Sequence, residues 1–167
     1  MTTYTTTVDS PVGPLLLTSD GSALTRLLFD ARPDPSWSTE PCAVLDRAIR
    51  QLAEYFAGER TSFDLPLAPA GTPFQLTTWL ALREIPYAET INYGQLALRV
   101  GNAKASRAVG LANGRNPISI VVPCHRVIGA NGSLTGYGGG LDRKRLLLDL
   151  ERRVAGADSD EPQLSLL

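Results

Sequence analysis

The chain has 167 residues, 43% hydrophobic and 20% charged, with a net charge of −1, which is enough to bury a core in one domain or two small ones. No apolar run approaches the roughly 18 residues needed to span a bilayer, and the N-terminus has no charged-then-apolar leader pattern. The two cysteines and one histidine exclude a disulfide framework and a four-ligand structural zinc site.

Charge is unevenly spread. Residues 1–71 hold five basic and nine acidic side chains, residues 72–153 eleven and five, and residues 154–167 none and three. A basic middle segment in a mildly acidic chain points to a polyanion contact on that segment.

In chain order, residues 3–8, 14–18 and 24–29 read as short strands rich in Thr, Val and Leu, separated by turn-like Asp9–Gly13 and Ser19–Ser22. A proline- and serine-rich loop, residues 32–41, follows. An amphipathic helix is expected over about 42–57, with Val44, Ala48, Leu52 and Phe56 inward, Leu45, Ile49 and Ala53 beside them, and Gly58 as its stop. Strands followed by a helix make a small α+β unit. No catalytic constellation is visible in it.

Residues 66–71 (Pro-Leu-Ala-Pro-Ala-Gly) read as a linker, which sets a domain boundary near 70. Thr72-Pro73-Phe74-Gln75 then opens a helix with a capping box, and Pro86 ends it. Residues 94–115 have the pattern of a helix-turn-helix. Its first helix is Gln95–Val100 with Leu96 and Val100 inward, its turn is Gly101-Asn102, and its second helix is Ala103–Asn113. The second helix is rich in Ala and Gly, with Lys104, Arg107 and Arg115 as its basic members, so it could approach a groove closely. Many helical hairpins look like this without binding nucleic acid, and the basic balance of the segment is what favours binding.

The most informative run is Pro123-Cys124-His125-Arg126-Val127, which follows the apolar residues 118–122 and contains the only histidine. A free cysteine can be a small core hydrophobe. A thiol beside an imidazole can also be a nucleophile, because the thiolate is the reactive form and needs a base or a cation to form at neutral pH. Asn131-Gly132 then signals a hairpin between Val127-Ile128 and Leu134. The loop Thr135-Gly136-Tyr137-Gly138-Gly139-Gly140 lacks the spacing of a phosphate-binding loop. It suits a flat ligand lying against exposed backbone, with Tyr137 as a wall. A last helix is expected over about 142–153 with Leu146, Leu147 and Leu150 inward. The acidic tail, residues 154–167, is expected to be mobile.

Together these motifs resemble the O6-alkylguanine-DNA alkyltransferases. The matching elements are Tyr93-Gly94 through Arg107-Ala108-Val109-Gly110, Asn116-Pro117, the Pro-Cys-His-Arg-Val box, Thr135-Gly136-Tyr137 with Gly139-Gly140-Leu141, and Leu147–Glu151. The likeness covers residues 72–152 and is weaker over the first 70. It implies an α+β fold: a small N-terminal strand and helix domain (1–70), then a mostly helical DNA-binding and alkyl-acceptor domain (71–153) containing the helix-turn-helix.

The resemblance also implies direct, single-use transfer of an alkyl group from O6 of a guanine in double-stranded DNA, with O4-alkylthymine a further candidate, to Cys124. His125 would take the thiol proton through a bridging water, Glu151 would orient the imidazole, and Asn116 would hold hydrogen bonds around the cysteine. The base would be flipped out of the stack, with Arg107 filling the gap as a planar cation. Tyr93 would crowd the target phosphate, Lys104 and Arg115 would contact DNA, and Tyr137, the Val127 carbonyl and the Gly138 backbone N–H would line or contact the base. Where some relatives carry a hydroxyl or a larger residue, Gly138 offers only backbone, and that loss of bulk is a route to larger alkyl groups.

No cofactor and no metal are expected, and the chain is expected to act in the cytoplasm as a monomer, with cooperative assembly on DNA left open. Two other classes also stay open at this point: a module that binds alkylated DNA without chemistry, and a thiol hydrolase built on Cys124 and His125.

Overall fold

A computed structural model describes residues 1–134 and 136–159, with side chains through residue 156; Thr135 lies outside the described residues. β1 (Tyr4–Val8), β2 (Leu15–Ser19) and β3 (Leu24–Phe29) form an antiparallel meander. Thr6 pairs with Leu17, and Leu17 with Leu27. The central strand is buried along its whole length. Both connecting turns carry a glycine in the left-handed region, Gly13 at φ 95° and Gly21 at φ 101°, where a side chain would be strained.

α1 (Ala43–Phe56) covers this sheet. Its buried stripe is Leu45, Ala48, Leu52 and Tyr55, with Val44, Ile49 and Phe56 half-buried and Ala53 exposed. The stripe is therefore rotated from the expected 44/48/52/56 row. A strict four-residue spacing drifts around a helix of 3.6 residues per turn, whereas the i, i+3, i+7 set stays on one face. Gln51 is also buried and exchanges two hydrogen bonds with the backbone of Asp64.

The expected linker is not a free tether. Leu24 N–H donates to the Pro66 carbonyl at 2.8 Å and Ala68 N–H to the Leu24 carbonyl at 2.9 Å, so the segment runs along β3. α2 (Pro73–Leu82) begins with the Thr72–Gln75 capping box read from the sequence. Its Trp79 indole N–H donates to the Ala112 carbonyl at 2.9 Å.

The helix-turn-helix is formed by α3 (Tyr93–Arg99) and α4 (Ser106–Gly114). α3 starts two residues before the expected Gln95, because Asn92 and Gln95 form a second capping box. α4 starts three residues after the expected Ala103. Asn102 holds residues 103–105 in a turn, accepting from Lys104 N–H at its side chain and from Ala105 N–H at its carbonyl.

β4 (Ile91–Asn92) and β5 (Val127–Ile128) pair in parallel, Ile91 opposite Val127. β5 therefore has its partner across the chain, and among the described residues no strand pairing joins Val127-Ile128 to Leu134, where a hairpin was expected. Asn131-Gly132 instead sits in a tight turn closed by Gly129 N–H to the Ser133 carbonyl at 2.8 Å.

α5 (Leu141–Ser159) buries Leu147, Leu148 and Leu150 and leaves Leu146 exposed, which corrects the expected inward set. It also runs past residue 153, so the part of the expected mobile tail up to Ser159 is helical. Val154 packs against the turn at Gly58, which has φ 78°. Residues 160–167 lie outside the described residues. One hydrophobic cluster joins both halves, from Leu15, Leu27 and Tyr55 to Val109, Ile118 and Leu147. Among the described residues no helix is long and apolar enough to cross a membrane.

Candidate active site

Cys124 opens a 3-10 turn, Cys124–Arg126, and is 4% exposed. The chain leading to it is not an extended strand, although it is apolar. It docks on β3 at one bridge, Leu27 to Ile118, with Leu27 N–H on the Pro117 carbonyl and Ser119 N–H on the Leu27 carbonyl. It then turns tightly, with Val121 N–H on the Ser119 carbonyl and Val122 N–H on the Ile118 carbonyl. Ile120 sits at φ 72°, a strained position for a β-branched residue that the surrounding bonds must hold. Asn116 pins this loop from within. Its amide donates to the Val122 carbonyl at 2.8 Å, and its oxygen accepts from Ile118 N–H at 3.0 Å.

The 3-10 turn sends His125 and Arg126 behind the cysteine, toward α5. His125 Nε2 lies 2.7 Å from Glu151 Oε2. Arg126 donates Nε to Oε1 at 2.9 Å and Nη2 to Oε2 at 3.0 Å. Ala88 N–H and the Tyr55 hydroxyl complete the shell, at 3.1 and 2.6 Å. His125 and Glu151 are both fully buried.

Burial alone would raise the Glu151 carboxyl. The hydrogen bond and charge of His125 and then of Arg126 outweigh it, holding the group well below the usual carboxylate range. Burial pushes the imidazole down, against the pull of Glu151, so His125 is neutral. With an ionised carboxylate on Nε2, the ring proton belongs there, which leaves Nδ1 as the lone-pair nitrogen. Nδ1 makes no hydrogen bond among the described residues.

Burial pushes the Cys124 thiol up to about 11, opposed by the Asn116 amide and the Lys144 charge. The resting sulfur is therefore a thiol, and it needs a base at the moment of reaction.

Cys124 forms part of the wall of a cavity of about 250 Å³, shared with Asn113, Asn116, Ser119, Tyr137, Gly138 and the ring of Phe29. Tyr137 meets Phe29 edge-on, with centroids 5.9 Å apart. The space is large enough for a flat heterocycle.

The other expected site residues take two positions. Tyr93 is the first residue of α3, half-buried, with its ring close to Gly110 and its hydroxyl beside Gly136. In the parallel β4–β5 register Tyr93 follows Asn92, which is opposite Ile128, so it lies beyond the end of β5 away from the Cys-His turn, and it does not line the cavity. Val127 is buried, and its carbonyl already accepts from Lys144 Nζ at 2.6 Å. Arg107 lies in the first turn of α4, Arg115 at its end and Lys104 just before it, all exposed. They share the outer face of α4 with Ala108, Leu111 and Gly114. Gly138 lies close to the Gly114 carbonyl at the end of that helix. Among the described residues no group of three His, Cys, Asp or Glu side chains could hold a metal ion.

Comparison with known proteins gives this geometry a context. A family profile described as "6-O-methylguanine DNA methyltransferase, DNA binding domain" matches residues 73–153. A second, "6-O-methylguanine DNA methyltransferase, ribonuclease-like domain", matches residues 3–69. This chain belongs to the 6-O-methylguanine DNA methyltransferase family.

A methylated-DNA–protein-cysteine methyltransferase of Mycobacterium bovis is 55% identical over 156 residues, covering 91% of this chain and 94% of its own. One from Methanosarcina acetivorans is 56% identical over 154 residues, covering 89% and 97%. The crystal structure of Mycobacterium tuberculosis O6-methylguanine methyltransferase superposes with a TM-score of 0.85 at 53% identity, over 93% of this chain and 96% of that one. The M. tuberculosis OGT solved in complex with DNA gives 0.84 at 52%, over 90% and 94%.

Within this methyltransferase family fold, sequence reasoning missed three groups around the reactive centre. Lys144 is fully buried, with its amino group brought down to about 8 by burial despite the nearby Cys124. It reads as one of three consecutive basic residues, 143–145, yet it falls at helical spacing with Leu147, Leu148 and Glu151, and that spacing was the available signal. Arg126 is visible only as a letter of the motif. Tyr55 lies in the half of the methyltransferase fold where no chemistry was expected, and nothing local links it to Glu151.

Proposed function

We propose that this protein repairs DNA by moving an alkyl group from O6 of guanine in double-stranded DNA onto Cys124, once per molecule. The observation that carries the reading is a buried thiol in the wall of a base-sized cavity, followed in sequence by a neutral imidazole that is held by an ionised carboxylate. His125 Nδ1 accepts the thiol proton through a water. Glu151 stabilises the imidazolium that results, and the Asn116 amide supports the sulfur as it gains charge. Sγ then attacks the alkyl carbon, the carbon–O6 bond breaks, and its electron pair leaves with the guanine, which takes up a proton. The thioether is stable, so the molecule is spent. Sulfur does the displacement itself, so the reaction calls for no cofactor. A thiol that must stay reduced places the work in the cytoplasm.

The base must leave the duplex to reach the cavity, at a cost of a few kcal/mol. The small-residue face of α4 allows close approach to the groove, with Lys104 and Arg115 on phosphates and Arg107 filling the gap in the stack. Tyr93 crowds the target phosphate and Tyr137 flanks the base. The Gly138 N–H faces the leaving oxygen. The Val127 carbonyl keeps one lone pair for the base edge, since a carbonyl has two. In this reading residues 71–153 bind DNA and accept the alkyl group, and residues 1–70 form the unit that backs them.

The test is intact-mass analysis after incubation with duplex DNA containing O6-methylguanine. One added methyl per chain is expected, mapped to Cys124 and absent in Cys124→Ala. Product in excess of protein would mean a turnover enzyme, and unmodified protein that binds tightly would mean a recognition module. Arg107→Ala should slow transfer from duplex DNA more than transfer from a free O6-alkylguanine base. Equal losses would remove Arg107 from the stack.

A further inference from the structure

We propose that Tyr55, on α1 of the N-terminal half, is a positioning residue for the alkyl transfer, its hydroxyl fixing the Glu151 carboxylate that keeps His125 in its base form. The inference rests on the function proposed above. Tyr55 is fully buried, and its hydroxyl donates to Glu151 Oε2 at 2.6 Å across 96 positions of sequence. Among the described residues it is the shortest contact that carboxylate makes.

Packing alone does not call for a tyrosine here. The ring is enclosed by Phe56, Phe63 and Tyr87 at centroid distances of 5.2, 5.5 and 6.2 Å. A phenylalanine would fill the same space without burying a hydroxyl, which costs free energy unless it is bonded.

The hydroxyl is spent on an acceptor that is already crowded. Glu151 Oε2 takes Tyr55, His125 and one Arg126 nitrogen, while Oε1 takes Ala88 N–H and the other Arg126 nitrogen. A carboxylate has about four lone-pair sites, so five donors leave it no freedom to rotate. Besides the imidazole, two of them, Tyr55 and one Arg126 nitrogen, draw charge from the oxygen that faces it. Around this group stand Tyr55 from α1, Tyr87 from the loop before β4, Cys124, His125 and Arg126 from the 3-10 turn, and Lys144 from α5. Arg126 also lies over the Tyr87 ring at 5.6 Å. Burial, followed by the adjacent Glu151 charge, raises the phenol, so Tyr55 remains a donor throughout the working range.

Removing the hydroxyl has two consequences of known sign. The carboxylate can turn, so the imidazole is held less firmly. Oε2 also regains charge and binds an imidazolium more tightly, which raises the pH at which His125 protonates. A protonated His125 cannot take the thiol proton, so the acid limb of the rate profile moves to higher pH.

The experiment compares the wild-type protein with Tyr55→Phe. Three quantities are measured: the rate constant for methyl uptake from saturating duplex DNA, the dissociation constant for the same DNA, and the 15N titration of the single histidine in the free protein. The expected result is a rate constant lower by about 10-fold, the cost typical of losing a group that orients another. DNA affinity should be unchanged, and both the rate limb and the imidazole titration should rise by at least about half a pH unit.

A variant that only melts earlier, with rate and titration unmoved, overturns the proposal by making the bond a structural tie. A slower rate with an unmoved titration overturns it as well. The titration needs no alkyl donor, so it still decides the question if wild-type protein takes up no methyl group, a result that would instead defeat the proposed function. Tyr55→Leu, which also removes the ring, should cost stability beyond Tyr55→Phe while moving the imidazole titration no further; a larger shift would assign the effect to packing and overturn the proposal.

Discussion

The amino group of Lys144, at the end of a fully buried side chain, lies 2.6 Å from the carbonyl oxygen of Val127, three residues beyond the reactive cysteine. A buried ammonium is costly, and burial brings this one down to about 8. What it gives in return is a cation beside Cys124 that favours the thiolate. Lys144→Met keeps the bulk and removes the charge. Where Lys144 is charged, below about pH 8, Cys124 should then form less thiolate, and methyl uptake near neutral pH should slow. Rates of thiol modification by iodoacetamide between pH 6 and pH 8 read the first effect directly. An unchanged modification rate in that range would show that Lys144 acts only by packing.

Among the described residues, Arg126 is the cation that pairs with Glu151 when His125 is neutral. It grips both carboxylate oxygens and sends its remaining terminal nitrogen to the Ile85 carbonyl at 2.8 Å. Removing one partner of such a buried pair leaves the other uncompensated, which costs about 3–5 kcal/mol. Arg126→Met should lower unfolding stability in urea by that amount, even though methionine fills much of the space. A loss below about 1 kcal/mol would mean that water reaches Glu151 and the pair is not a dry one.

The same cluster sets the response to acid. Unfolded, His125 takes up a proton below its ordinary value of 6.5, whereas folded it resists, because burial lowers its value. Glu151 likewise stays ionised in the folded protein below its ordinary 4.5. In both windows the unfolded chain binds more protons, so stability falls as pH falls. The loss should begin near pH 6.5, at up to about 1.4 kcal/mol per pH unit for each proton involved, and should steepen below 4.5. Urea midpoints measured from pH 8 down to pH 4 test this. A flat profile between 7 and 5 would mean that His125 is not buried as a neutral ring.

The fold was legible in the sequence wherever one local rule was enough. The three strands and the Thr72–Gln75 cap follow from alternation, turn residues and capping chemistry, and their boundaries agree closely with the structure. The reading failed where tertiary contacts decide. Val127-Ile128 pairs with Ile91-Asn92 across 36 positions of sequence, and no turn signal could reveal that. The last helix continues because Val154 finds Gly58 to pack against. At the site, the motif pointed to Cys124, His125 and Glu151; Cys124 lies in the cavity wall, and His125 meets Glu151 behind it. Tyr55 and Lys144 escaped because a buried polar group on an otherwise apolar helix face reads as core or as surface until its partner is known.

Two neighbouring glycines of the cavity wall separate by a simple steric argument. A Cβ on Gly139 would lie 2.6 Å from two carbons of the Phe29 ring and 2.9 Å from Cε2 of Tyr137. Neither ring can yield freely, since Phe29 is also covered by the Arg143 guanidinium, 5.0 Å from its centroid. Overpacking of this kind costs about 1–3 kcal/mol. On Gly138 a Cβ would meet only the Gly114 carbonyl, at the ordinary distance of 3.4 Å. Gly139→Ala should therefore lose about 1–3 kcal/mol of stability and slow methyl uptake, because the displaced rings are the cavity wall. Gly138→Ala should stay within about 0.5 kcal/mol of wild type and keep its rate with a methyl donor. If Gly138 is what leaves room for bulk, the same substitution should slow uptake of a benzyl group more than of a methyl group. Equal rates for both groups in Gly138→Ala would show that the size limit is set elsewhere in the cavity wall, which also includes Ser119 and Phe29.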